Sequence, residues 1–196
     1  GDNAELHNHN DVGSWTLYLD GEEVAGDPGG EIYTARTFSK DRYVSDVLNS
    51  FGHPVPRVGG ELQLVGAESA AEIVRKEFTD ARDAFVIDLS SAYPATRGKK
   101  GALVRAAVFD RENESVMIAD RLRVENPIAF ESAVISYNAT CPFVPKATGG
   151  AWHLEEKTVE NPGRRSPHRF AVVFDEPVTQ ADVTWNFKAG EKGEQK

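Results

Sequence analysis

The chain has 196 residues, 40% of them hydrophobic and 27% charged, enough for one substantial core and short for two. A formal net charge of -9 leaves no basic face to release counterions, which excludes nucleic acid as a partner. The longest uncharged apolar runs, such as 84–87 and 106–109, fall far short of the roughly 18 residues of a membrane-spanning helix, which excludes such a helix, and no membrane partner is expected.

The first ten residues are polar, with no basic segment followed by an apolar one, so no signal peptide is read there. Asp20-Gly21 between 15–19 and Val24 satisfies positive φ at both centres of a type I′ turn and predicts a β-hairpin. Residues 28–60 combine eight Gly and Pro residues with polar ones and predict a long surface excursion of the functional kind. Strand-length runs bounded by Gly, Pro, Asn or Asp follow at 61–65, 71–78, 84–93, 102–111, 115–124, 129–137, 169–174 and 181–187. Period two is plain in Phe85, Ile87 and Leu89 and in Val183, Trp185 and Phe187. Residues 67–79 fit a short amphipathic helix or a strand, and the alternation from Glu72 to Phe78 favours the strand. Many strands without intervening helices predict an all-β chain, a two-layer antiparallel β-sandwich over 1–187 with a long loop near the N-terminus. The Gly, Glu and Lys of 188–196 read as a flexible tail. The single Cys141 has no partner for an internal disulfide.

Chemistry concentrates in His7-Asn8-His9-Asn10-Asp11. If that run is extended, His7 and His9 project to one side, about 6 to 7 Å apart. Imidazole and carboxylate suit zinc, and Asp27 and His53 are the carboxylate and imidazole to add. With Asp20-Gly21 as the loop, Leu19 faces Glu22, Ser14 faces Asp27, and a straight strand sets His9 opposite Ile32, too far from Asp27. A metal site therefore requires a bend between Asp11 and Gly13, and Gly13 permits one. On spacing alone a polar loop is the better reading of the run. His153 and His168 lie among charged residues and read as solvated surface. Trp15 and Trp185 fit strand periodicity and read as core, while Trp152, after Gly149-Gly150, is more open. Tyr43, in Asp41-Arg42-Tyr43, is the tyrosine best placed for a functional role. No P-loop, Gly-x-Gly-x-x-Gly or Gly-x-Ser-x-Gly pattern occurs, so nucleotide binding and serine hydrolase chemistry have no support.

The stretch 1–60 resembles the start of the C-terminal domain of the heparinase II/III-like family of polysaccharide lyases. Five ordered blocks carry the resemblance: Asn3-Ala4-Glu5-Leu6-His7-Asn8-His9-Asn10-Asp11-Val12-Gly13-Ser14-Trp15; Asp20-Gly21; Asp27-Pro28-Gly29; Tyr33-Thr34-Ala35-Arg36-Thr37-Phe38-Ser39 with Arg42-Tyr43; and His53 before Val58-Gly59-Gly60. From Glu61 onward only the general sandwich pattern matches. The resemblance implies a zinc or other divalent metal on His9, Asp27 and His53, stapling the long loop, with His7 in the cleft as the catalytic, proton-transferring histidine. It implies substrate contacts from Arg36, Arg42 and Tyr43. The substrate would be an acidic, uronate-containing polysaccharide of the heparin or heparan sulfate type, cleaved by β-elimination. It also implies an N-terminal α/α toroid absent from this chain, without which the chain is inactive, a periplasmic or secreted location, and room for a homodimer. The sequence departs from the family at Asn49-Ser50-Phe51-Gly52-His53-Pro54, where Asn more often follows the histidine; Pro54 removes a backbone donor there. Two alternatives stay open: a non-catalytic, metal-stabilised carbohydrate-binding or structural sandwich, and a cupin-like enzyme in which His153 or His168 joins the site.

Overall fold

The computed structural model describes residues 2–4 and 7–189. Among them are fourteen strands and no α-helix: β1 (Asp2–Asn3), β2 (Leu17–Leu19), β3 (Glu22–Ala25), β4 (Arg57–Val58), β5 (Gly66–Ala70), β6 (Glu72–Phe78), β7 (Arg82–Asp88), β8 (Leu103–Asp110), β9 (Ser115–Ile128), β10 (Phe130–Ser136), β11 (Val144–Thr148), β12 (Trp152–Thr158), β13 (His168–Phe174) and β14 (Val178–Lys188). Four 3-10 turns, Arg36–Phe38, Arg42–Val44, Ser50–Gly52 and Ser90–Ala92, complete the set. A six-stranded sheet runs β11, β14, β9, β8, β7, β6 and a four-stranded sheet runs β12, β13, β10, β4, both antiparallel. The expected sandwich is thus the observed one.

Alternation places the inner faces. Across the six-stranded sheet, Trp185 stands opposite Ile118, Ile118 opposite Ala107, and Ala107 opposite Phe85. These ladders pack with Phe130 and Val134 of β10 and Phe170, Val172 and Phe174 of β13. Each large apolar side chain so buried contributes about 1.5–3 kcal/mol. The outer face of β10 is covered too, because Ile135 packs with Val47, Leu48 and Val159. The excursion of 28–60 therefore forms a third layer over the four-stranded sheet, and β10 and β13 are buried on both faces. Gly52 allows that closeness, since a Cβ there would lie 2.2 Å from the Asp46 carbonyl oxygen. Asn49 shapes the turn before it, accepting from the Phe51 amide and donating to the Tyr43 carbonyl.

Several expected boundaries move. Residues 61–65 form no strand beyond a bridge between Glu61 and Val58, because Gln63 serves as a side-chain clamp described below. The expected strand 84–93 ends at Asp88, whose carboxylate accepts from the Ser90 and Gly101 amides and turns the chain into Ser90–Ala92. β11 and β12 were not foreseen. Both are sheet edges, and β12 carries Glu155, Glu156 and Lys157 where charge protects an edge. Trp152, expected to be open, starts β12 and packs against the core. Lys188, assigned to the tail, closes β14; residues 190–196 lie outside the described ones.

One polar group interrupts the apolar inner face. Arg105 of β8 stands opposite Asp120 of β9, with side chains 3% and 0% exposed. The pair is bidentate, Nε to Oδ1 and Nη2 to Oδ2, both 2.7 Å. Asp120 also accepts from the Ser132 hydroxyl of β10, which in turn accepts from the Trp185 indole. The remaining guanidinium reach goes to the carbonyls of Gly13, 2.8 Å, and Pro54, 2.5 Å. Removing one partner of a buried ion pair leaves the other charge uncompensated. Arg105→Met should cost about 3–5 kcal/mol in urea unfolding; a loss below 1 kcal/mol would show that the pair is not a keystone. Gly13→Ala should cost about 1–3 kcal/mol, because Gly13 has φ +88 and a Cβ would press on Leu89 at 2.8 Å. An unchanged melting temperature would refute that.

Candidate metal centre and its groove

The three expected ligands arrive on three independent segments. After Asn10, whose amide donates to the Leu48 carbonyl, the chain turns through Asp11–Ser14, closed by the Ser14 amide on the Asp11 carbonyl at 2.8 Å. Gly13 supplies the left-handed residue of that turn, so the required bend is present. Gln63 holds it open from the side: its amide accepts from the Val12 N–H and donates to the Val12 carbonyl. Asp27 follows β3, where Leu19 pairs with Glu22 as expected; a bulge then sets Leu17 opposite Ala25. The Gly26 amide donates to the Ile135 carbonyl, and Asp27 Oδ1 accepts from the Gly29 amide at 2.7 Å. His53 ends the Ser50–Gly52 turn, fully buried.

These segments bring ligand atoms of His9, Asp27 and His53 within 4.8 Å of one another. Asp27 Oδ2 lies 3.3 Å from His53 Nδ1 and 4.0 Å from His9 Nδ1, and the two imidazole centroids are 4.9 Å apart. Burial, then the neighbouring His53, pulls the His9 pKa down to about 4, so this imidazole is neutral near pH 7. Burial would raise Asp27, yet His53 and the Gly29 amide hold it below the usual carboxylate range. The decisive observation concerns His53. Its Nε2 is 3.0 Å from the Val47 carbonyl, which can only accept, so Nε2 carries the proton. In the neutral ring Nδ1 then offers a lone pair, and it is buried without a hydrogen-bond partner. A lone pair facing a carboxylate oxygen at 3.3 Å is repulsive unless a positive charge, a proton on Nδ1 or a metal ion, stands between them. The donor set suits a divalent metal, zinc foremost, with Val47 as the outer partner that fixes the tautomer.

His7 does not share this site. Its φ of +66 breaks the extended run, so the two histidines part: His9 turns inward and His7 outward. His7 is exposed, sits edge-on to Phe38 with centroids 5.5 Å apart, and lines a groove of about 390 Å³ with Asn8, Thr37, Phe38, Arg42 and Tyr43. Arg42 and Tyr43 reach the groove wall while holding the loop. Arg42 donates to the carbonyls of Asn8 and Thr37, and the Tyr43 hydroxyl is 2.7 Å from Asn8 Oδ1. Arg36 is paired with Glu31 and donates to the Arg42 carbonyl. These three residues, read from sequence as substrate contacts, have internal partners. His153 pairs with Asp175 and His168 with Glu156, which removes the cupin-like arrangement. At Pro54 the backbone carbonyl is what Arg105 binds. Sequence reasoning missed Asp11, whose Oδ2 lies 3.8 Å from His53 Nδ1, although its place in the His-Asn-His-Asn-Asp run was a signal. It also missed Gln63, for which the sequence carries no signal.

No protein-family model matches the chain, and no curated protein does. Solved structures do. A heparinase III, the BT4657 gene product, superposes with a TM-score of 0.73 at 10% identity over 96% of this chain and 32% of that one. Heparan sulfate lyase HepC from Pedobacter heparinus gives 0.61 at 14% identity over 96% and 32%. A further heparinase III gives 0.62 at 14% over 93% and 30%. At such identities what is shared is the fold. The chain has a heparinase III-like β-sandwich fold and spans about a third of the length of the solved lyase chains it matches.

Proposed function

We propose that this chain is the metal-stapled sandwich of a polysaccharide lyase that cleaves uronate-containing glycans of the heparan sulfate type by β-elimination. The observation that carries the reading is the divergence of His7 and His9 across Asn8. One imidazole faces an open groove and the other faces Asp27 and His53. β-Elimination removes the proton α to the uronate carboxylate and expels the oxygen linked at C4, so it needs proton acceptors and donors plus neutralisation of the carboxylate. An exposed histidine lining the groove suits the proton steps. His9, Asp27 and His53 would hold a metal, whose fixed positive charge would lock the loop presenting His7. His7 is the residue that meets substrate; Arg42 and Tyr43 position the loop through Asn8.

The chain provides one wall of a cleft. Among the described residues its groove holds one arginine, Arg42, three of whose five N–H groups serve carbonyls. Further carboxylate neutralisation would come from another wall of the cleft. Exposed Tyr33, Phe38 and Val65 on or beside the groove form an apolar rim of the kind that a further domain covers, and the solved lyases are about three times as long. A non-catalytic binding module would not need a histidine presented in this way. No described helix is long and apolar enough to cross a membrane, and a periplasmic or secreted setting suits a polysaccharide substrate.

Two outcomes test the reading. A chelator should lower the melting temperature by roughly 5–11 °C, the equivalent of about 2.7 kcal/mol at a hundredfold ligand excess. His9→Ala should abolish that chelator response. Activity lost in His9→Ala with metal content and stability unchanged would overturn the stapling role. The chain alone should give no unsaturated uronate absorbance on heparan sulfate, whereas the chain joined to its N-terminal portion should, with His7→Ala lowering turnover at least a hundredfold. Turnover by the isolated chain, or a fully active His7→Ala, would refute the assignment.

A further inference from the structure

The chain carries more acid than base, and nine of its thirteen arginines have a carboxylate within 4.0 Å. Arg42, Arg121, Arg164 and Arg165 have none among the described residues. Arg121 lies on β9. The other three gather on the layer formed by 28–60 and on the loop that touches it.

That loop is 159–167, between β12 and β13, and Glu160 is its one acid. It is firmly built. The Val159 amide donates to the Pro167 carbonyl at 2.8 Å and the Arg164 amide to the Asn161 carbonyl at 3.0 Å. Val159 packs with Val47 and Leu48, and a Cβ on Gly163 would lie 2.6 Å from Ile32 Cδ1, so the loop rests directly on the excursion. Arg165 lies over the Tyr137 ring, 4.6 Å from its centroid, and donates to the Tyr137 carbonyl, while the Tyr137 hydroxyl donates to the Pro28 carbonyl. Arg164 and Arg165 are nonetheless exposed. From Ile32, itself exposed, a line of exposed rings leads back to the groove: Tyr33 is 5.3 Å from Phe38 and Phe38 is 5.5 Å from His7, centroid to centroid.

Aromatic and aliphatic faces accept the apolar faces of sugar rings, and a guanidinium fork matches carboxylate and sulfate oxygens. Resting on the lyase reading above, we propose that Arg164 and Arg165 form an anionic-sugar subsite at the far end of this ridge, holding carboxylate or sulfate groups of a glycan several sugars away from the unit at His7. The two arginines bind and align a long chain and leave the reacting sugar to the groove. A further domain facing the apolar rim would make the ridge the floor of the cleft.

The test is binding of fluorescein-labelled heparan sulfate to the chain at low ionic strength. The double variant Arg164→Gln, Arg165→Gln should bind about 5- to 10-fold more weakly, with a shallower dependence on salt. Arg121→Gln, which removes the same charge elsewhere, should bind as the unmodified chain does. Arg164→Gln alone removes no side-chain hydrogen bond of the described chain and should still weaken binding about 2- to 5-fold, so the test stands even if Arg165→Gln loosens Tyr137. In the chain joined to its N-terminal portion, the double variant should raise KM for the polymer by a similar factor with kcat unchanged, and leave KM for a tetrasaccharide as it was. Full affinity in the double variant, an equal loss in Arg121→Gln, or no binding by the unmodified chain would each overturn the subsite while the lyase reading stood. No turnover by the joined chain would overturn the lyase reading itself, a separate result.

Discussion

The buried Arg105–Asp120 pair is the constraint on which the rest of the structure depends. An ion pair in a core must recover the desolvation of both charges, which it does only with near-complete hydrogen bonding. Here Asp120 takes two guanidinium contacts and the Ser132 hydroxyl. Arg105 has reach to spare, and what it finds are the carbonyls of Gly13 and Pro54. Gly13 closes the turn that follows His9, and Pro54 follows His53 directly. The charge that joins two strands of the core thereby fixes both histidine-bearing segments against the same sheet. Asp27 is tied separately, through the Gly26 amide on the Ile135 carbonyl and the Ser136 hydroxyl on the Val24 carbonyl. All three ligand segments are referred to one rigid frame. A site built from loops needs such a frame, because a metal alone would have to order roughly three free segments against their entropy.

The legible parts were those governed by local rules. Asp20-Gly21 sets its hairpin through positive φ, and Leu19 pairs with Glu22 as the turn dictates. Gly13 was identifiable because the hairpin register made a straight chain incompatible with a site. Period two in Phe85, Ile87, Val183 and Trp185 reports a half-buried sheet. What stayed hidden depends on partners remote in sequence. β12 reads as a charged loop because it is an edge whose register is set by β13. Gln63 lies in an apolar run that looks like a strand, yet its amide clamps Val12 and meets the Tyr93 hydroxyl. Arg42 looks like an anion binder along the sequence, and the structure gives it a second use on the carbonyl of Asn8, thirty-four residues earlier. An arginine's use is a property of the tertiary structure, and no window along the chain contains it.

The conformation of His7 shows why these devices are needed together. A non-glycine residue at φ +66 sits in a region that costs about 1–3 kcal/mol unless its surroundings impose it. Among the described residues the His7 ring rests against Phe38, a contact worth about 0.5–1.5 kcal/mol. The compensation comes from the next residue. The Asn8 carbonyl accepts from Arg42 at 3.2 and 2.7 Å, and its side chain pairs with Tyr43. His9 and Asn10 are then held from below by the ligand cluster and by Leu48. Those anchors hold the residues that follow His7, while His7 itself lines the groove. The candidate ligand cluster and the groove are in this sense two sides of one loop, coupled by backbone geometry and not by any bond between the two imidazoles.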